Sequence, residues 1–227
     1  MAIAPDLSSR IRLYIFEYFR AHAVAPVVEQ VMTAFALSRE EVGDVLRGLE
    51  AARHLALVED TERVLMAFPF SAIATPFRVR VGDRRYFANC AWDAIAFHAM
   101  LGEGVRVDSF CHHCAAPITI ELQHGRAVVV EPSEAIVYLA VPAARWWDDI
   151  VETCSNTMVF FASPEHRDAS SLCSGTGSGA SLTPDQVHDL SVPLYAARMS
   201  AGFARPPKAE LLDHFASLGL TGEFWAL

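Results

Sequence analysis

Apolar residues along the first fifty positions repeat every three or four residues. Leu7, Ile11, Ile15, Tyr18 and Phe19 mark one helical face, and Pro26 opens a second helix carrying Val27, Val28, Val31, Met32 and Phe35. Ser38-Arg39-Glu40-Glu41 has the form of a capping box and starts a third helix with Val42, Val45, Leu46 and Leu49 on its apolar face. Leu55–Val58 and Val64–Met66, on either side of a polar turn at Glu59–Glu62, then predict two short strands. Three helices followed by a two-stranded wing is the winged-helix pattern, and we assign it to residues 1–70.

Pro69 and Pro76 mark the crossing into a second unit, residues 71–227, where alternation dominates. Phe77–Val81 and Arg85–Ala88 flank Gly82-Asp83, a hairpin signal, and a helix follows from Cys90 to Met100, stopped at Leu101-Gly102. Strands are predicted over 105–110, 118–122, 127–130 and 136–141, with Gln123-His124-Gly125 turning between the middle two. A short helix over 143–154, a strand over 157–161, a Ser/Gly linker over 174–179 and two helices near 183–199 and 207–218 complete the chain. The fold class is α+β: an N-terminal winged-helix-like three-helix unit, then a mixed-sheet α+β domain with C-terminal helices.

Composition narrows the functional classes. The chain has 227 residues, 52% of them hydrophobic, which supports a packed core and excludes disorder. No apolar run approaches the length of a membrane span, and Asp6 and Arg10 interrupt the stretch where a signal peptide needs apolar residues. The net charge is −9, and Lys208 is the single lysine. Residues 1–70 hold seven Arg against ten acidic residues, with Glu40, Glu41, Asp44 and Glu50 on or beside the third helix. A recognition helix so charged repels phosphates, so the winged-helix pattern is read here without nucleic-acid binding. The five cysteines, Cys90, Cys111, Cys114, Cys154 and Cys173, are an odd number in a chain expected to stay in the reduced cytoplasm. They are read as thiols rather than as a disulfide framework.

Cys90 and Asp93 sit three residues apart at the start of a predicted helix and so share a face. The helix N-terminus favours thiolate there, and the carboxylate is placed to take the proton that the thiol loses. A buried small cysteine and an Asp capping first-turn amides fit the same residues. Cys111-His112-His113-Cys114 is half of a structural zinc motif, but no second pair follows at knuckle spacing, so a structural pair beside a turn is the preferred reading. Cys154 reads either as core packing beside Trp146 and Trp147 or as a functional thiol, and Cys173 has no assigned role. No Cys/His/Asn set marks a hydrolase, and no glycine loop marks a phosphate site.

Taken in order, Asn89-Cys90-Ala91-Trp92-Asp93, His113-Cys114-Ala115-Ala116 and Cys154 followed by Val159-Phe160-Phe161-Ala162-Ser163 resemble the organomercurial (alkylmercury) lyases. A winged-helix-like front domain, not used in that family for DNA, adds to the likeness, which spans about residues 8–200. The resemblance implies that Cys90 and Cys154 are the two active-site thiols and mercury ligands. It implies that Asp93 is the proton-handling carboxylate beside the metal, and Cys114 a buried structural cysteine. It further implies protonolysis of carbon–mercury bonds, releasing a hydrocarbon and Hg(II) held by two thiolates. No organic cofactor is implied; low-molecular-weight thiols or a mercuric reductase would accept the Hg(II). A non-catalytic, thiol-based metal-binding or sensory protein on the same fold is the alternative. Two positions depart from the family pattern: Trp92 is bulkier than the expected aliphatic residue, and Ser155 stands where some members carry a second cysteine. Both bear on substrate access and metal affinity.

Overall fold

The computed structural model describes residues 6–173 and 179–227. Three helices lead: α1 (Leu7–His22), α2 (Val28–Phe35) and α3 (Arg39–Ala51). Asp6 caps α1 by accepting from the Ser9 amide, and the expected capping box of α3 forms between Ser38 and Glu41. Their apolar faces, with Ile11, Ile15, Phe16, Val42 and Leu46, are fully buried. A small antiparallel sheet follows, β1 (Ala56–Leu57), β2 (Val64–Ala67) and β3 (Phe70–Ser71), in that order. The third strand was absent from the sequence reading, because two residues beside Pro69 carry no periodicity. Phe70 packs face to face on Phe19 at 5.2 Å and edge-on to Phe97 at 5.0 Å, joining the first helix to the core beyond residue 71.

The main sheet has the order β5-β4-β6-β7-β8, from β4 (Arg78–Val81), β5 (Arg84–Phe87), β6 (Val105–Phe110), β7 (Pro117–Gln123) and β8 (Arg126–Glu131). Its strands alternate: Val105 and Val107, then Ile118, Ile120 and Leu122, face the core. Gly82 takes φ 55° in the β4–β5 turn, the conformation that the Gly-Asp signal anticipated. A separate sheet sets β9 (Ile136–Leu139) between β10 (Met158–Phe161) and β11 (Ala180–Leu182). Every strand pairing among the described residues is antiparallel, which corrects the expected mixed sheet. The fold remains α+β.

Helix α4 (Ala91–Leu101) is buried on nearly every face, as a helix apolar all round must be, and its two polar residues, Asp93 and His98, are buried with partners. It lies against α7 (Pro184–Tyr195), tied by Trp92 Nε1 donating to Ser191 Oγ at 2.7 Å and by His98 against His188 at 3.1 Å. Between β9 and β10 the expected helix over 143–154 is broken. A 3₁₀ turn at Ala143–Arg145 gives way to a single turn, α5 (Ile150–Glu152), then to a π-helical turn at Thr153–Thr157. Asp149 causes the break: extended at φ −147°, its carboxylate accepts from the Glu152 amide and restarts the helix. Two short elements were not anticipated, α6 (Pro164–Asp168) and β11, and the chain closes on α8 (Lys208–Ser217). Five residues of the predicted 174–179 linker lie outside the described residues. No described helix is long and apolar enough to cross a membrane.

Candidate active site

Cys90 is the N-cap residue of α4. Its backbone is extended and its Sγ accepts from the Asp93 amide at 3.3 Å, the place a Ser or Asp oxygen usually takes. The same helical turn carries the Asp93 carboxylate back beside the sulfur. Cys154 arrives from the opposite side, on the π-helical turn, a local widening that often marks functional positions. The three residues are 2%, 1% and 3% exposed in that order, and their Sγ and carboxylate atoms all lie within 4.8 Å of one another. Sixty-four residues of sequence separate the thiols; the packing of the turn before β10 on α4 brings them together.

Asp93 is held from both ends. Tyr195, at the end of α7, donates its hydroxyl to Oδ1 at 2.6 Å, and Asn89 Nδ2 donates to Oδ2 at 2.9 Å. Behind Tyr195 lies the buried Arg198, its guanidinium 4.8 Å from the ring centroid and anchored to the Leu194 carbonyl at 2.8 Å. Asn89, Tyr195 and Arg198 were not singled out as functional from sequence. Asn89 adjoins Cys90 and was legible as a neighbour, whereas Tyr195 lies 102 positions from Asp93 and is placed by the α4–α7 contact alone.

Burial controls the protonation of the trio. It pushes Cys90 well above the usual thiol range, reinforced by Cys154 and the Asp93 charge. For Cys154 the bond to Cys90 lowers the pKa, yet burial and Asp93 together leave it raised. The expectation that the helix N-terminus makes Cys90 a resting thiolate is therefore corrected: one amide bond does not offset full desolvation beside a carboxylate. Burial also raises Asp93, opposed by Tyr195, Asn89 and Arg198, and raises Tyr195 well above its ordinary value so that it remains a donor. At rest the site is two protonated thiols beside one tethered carboxyl group.

A cavity of about 290 Å³ opens on the trio, walled by Phe68, Trp92, Trp146 and Trp147 and edged by Arg53 and Arg205. The two arginines sit over the Trp147 ring, at 5.2 and 5.0 Å. Trp92 is a wall of this chamber, braced edge-on against Trp146 at 5.0 Å, so its bulk shapes the space around the thiols. Ser155 faces outward and is exposed.

The remaining cysteines fall elsewhere. Cys111 is buried and Cys114 exposed, which reverses the reading of Cys114 as the buried structural cysteine: Cys111 directly follows the core strand β6, while Cys114 sits on the turn beyond it. Burial pushes the Cys111 thiol up, but the amides of Ala162 and Cys114, with His166, draw it down to about 7. Cys173 lies beside Tyr138.

The family model described as MerB, alkylmercury lyase, matches residues 70–196, which contain both thiols, Asp93 and Tyr195. The chain belongs to the alkylmercury lyase family. Curated alkylmercury lyases from Bacillus cereus and Pseudomonas putida are similar to it, at 31% identity over 137 residues and 29% over 165. These alignments cover 60% of this chain and 60% of the Bacillus protein, and 70% and 75% in the Pseudomonas case. The chain thus spans about 60% of the length of the first relatives it matches. A solved structure described as the mercury-bound form of MerB2 has the same fold, with a TM-score of 0.68 at 20% identity over 86% of this chain and 93% of that one. Of the family-matched segment, 70–196, α4, the π-helical turn and α7 supply the trio and the hydroxyl that holds it.

Proposed function

We propose that this alkylmercury lyase family member cleaves carbon–mercury bonds by protonolysis, with Cys90, Cys154 and Asp93 as the reacting groups. The observation that carries this reading is the convergence of two buried thiols and one carboxylate within 4.8 Å at the end of an aromatic-walled cavity. Thiolates are soft ligands suited to a soft metal, and metal binding displaces the thiol proton even where burial has raised the pKa.

In the first step one thiol attacks mercury, its proton passes to Asp93, and the substrate's weakly bound counter-ligand leaves as an anion. In the second step the other sulfur joins the metal, and the proton held by Asp93 passes to the carbon as the carbon–mercury bond breaks. The thiol that joins second returns its own proton to the carboxylate. That last proton then leaves Asp93 for solvent with the departed counter-ligand, so the sum is one organomercurial and two thiols giving one hydrocarbon, a mercury dithiolate, the counter-ligand anion and one proton. Tyr195 and Asn89 keep the carboxylate oxygens aimed at the sulfurs throughout. No organic cofactor enters this scheme. Release of Hg(II) falls to external low-molecular-weight thiols or a mercuric reductase, both of which belong to the reduced cytoplasm. No nucleic acid and no membrane takes part.

The test is incubation of reduced protein with phenylmercury and measurement of benzene. We expect benzene with wild type and none above background with Cys90→Ser or Cys154→Ser. Stoichiometric mercury binding without benzene would refute catalysis and leave a thiol-based metal-binding protein.

A further inference from the structure

A second set of soft ligands lies outside the cavity. Where β6 ends, the chain turns through Cys111-His112-His113-Cys114, closed by the Ala115 amide bonding to the Cys111 carbonyl at 2.9 Å, with Ala115 at φ 59°. The turn is fixed to β10 by the His112 amide, which donates to the Phe160 carbonyl at 2.9 Å. Just past β10, Ser163 caps α6 and brings His166 back over the turn. His166 Nδ1 then stands 3.5 Å from Cys111 Sγ and 3.3 Å from Cys114 Sγ, and the three ligand atoms lie within 4.8 Å of one another.

These separations suit a metal. Zinc binds sulfur at about 2.3 Å and imidazole nitrogen at about 2.0–2.1 Å, so adjacent S and N corners of a tetrahedron lie about 3.6 Å apart. Amides of Ala162, Cys114 and His113 donate to the Cys111 sulfur, the kind of outer bonding that steadies a metal thiolate. The second zinc pair missing from the sequence pattern is replaced by one histidine 52 residues beyond Cys114. The His113 ring, 5.7 Å from that of His166, flanks the outer side of the set beside the exposed Cys114. None of these residues lines the cavity.

We propose that Cys111, Cys114 and His166 form a binding site for a thiophilic divalent cation of the zinc class, separate from the candidate active site. The bound ion joins the β6 turn to α6, clamping the far end of the strand that follows Cys154. The fourth coordination position faces solvent beside His113. The site does not depend on lyase activity.

The experiment takes the full chain, reduced and stripped with a chelator, and titrates it with Co(II) as a spectroscopic probe and Zn(II) as competitor. One equivalent of Co(II), with thiolate charge-transfer and tetrahedral d–d bands that Zn(II) abolishes, is expected. The Cys90→Ser/Cys154→Ser double variant should keep these bands in full. Losing even an outer partner of a metal costs about 10- to 100-fold in affinity, so Cys114→Ser and His166→Ala should each weaken binding at least that much. Cys114 is exposed, and circular dichroism verifies that its variant is folded. Absence of tetrahedral Co(II) bands in wild type would overturn the proposal. So would bands that vanish in the double variant and persist in Cys114→Ser.

Discussion

Replacing Tyr195 with Phe removes one hydroxyl from beneath Asp93 and leaves the ring in place against Arg198. That hydroxyl donates at 2.6 Å to a carboxylate that is 1% exposed, so water does not substitute freely for it. A hydrogen bond to a charged group contributes about 1.5–3 kcal/mol. At about 1.4 kcal/mol per tenfold, the variant should lose roughly 10- to 150-fold in kcat/KM for phenylmercury. The sign of the pH effect follows from the same bond. Burial already raises Asp93, and Tyr195 is the foremost group opposing that rise. Without it the carboxylate is harder to ionise, and the rising limb of kcat/KM against pH moves to higher pH. Benzene release measured across pH tests both parts, with thermal unfolding as a check on folding. A Tyr195→Phe enzyme with unchanged rate and unchanged limb would refute the claim that this hydroxyl holds the proton carrier.

Asp93→Asn should keep stoichiometric mercury binding while losing about 10²–10⁴-fold in hydrocarbon release, because the amide fills the same space but carries no proton; equal loss of binding and turnover would contradict that division of labour. Arg12 donates from α1 to the Arg198 and Ser200 carbonyls at 2.6 and 2.5 Å, tying the front helices to the segment after Tyr195. Arg12→Met should therefore cost about 3 kcal/mol or more, lowering Tm by about 6–12 °C at 2–4 °C per kcal/mol; a shift within about 2 °C would show that the link is not structural. His54 is lowered from 6.5 to about 4, first by burial and then by the charges of Arg198, Arg12 and Arg205, and its Nδ1 has no hydrogen-bond partner among the described residues. The unfolded chain binds the extra proton between those values, so stability should fall as pH drops from about 6.5 towards 4. Denaturant unfolding of His54→Gln should show a shallower decline over that window.

The local chemistry of this protein is written in its sequence. Helix periodicity, the Ser38–Glu41 capping box, the Gly82 turn and the alternation of β6 and β7 depend on neighbours a few residues apart, and each element formed where its pattern lies. Cys90 and Asp93 were legible together for the same reason, as two positions on one helical turn. The break at Asp149, the π-helical turn and the strands β3 and β11 were not, because each is too short to carry a period, and β11 is held by a partner some forty residues back in the chain. Likewise the sequence left Cys154 open between core packing and a functional thiol until a family likeness chose, and that likeness assigned Cys114 the burial that belongs to Cys111. Tertiary packing decided the rest: α7 against α4 brings Tyr195 to Asp93, and α6 returning over the β6 turn brings His166 to two cysteines. It also decided the protonation state, since a helix N-terminus is a local property whereas desolvation is set by everything packed around it. Spacing in sequence carries ligands within one turn of helix or one tight loop, and only the folded chain joins them across fifty or a hundred residues.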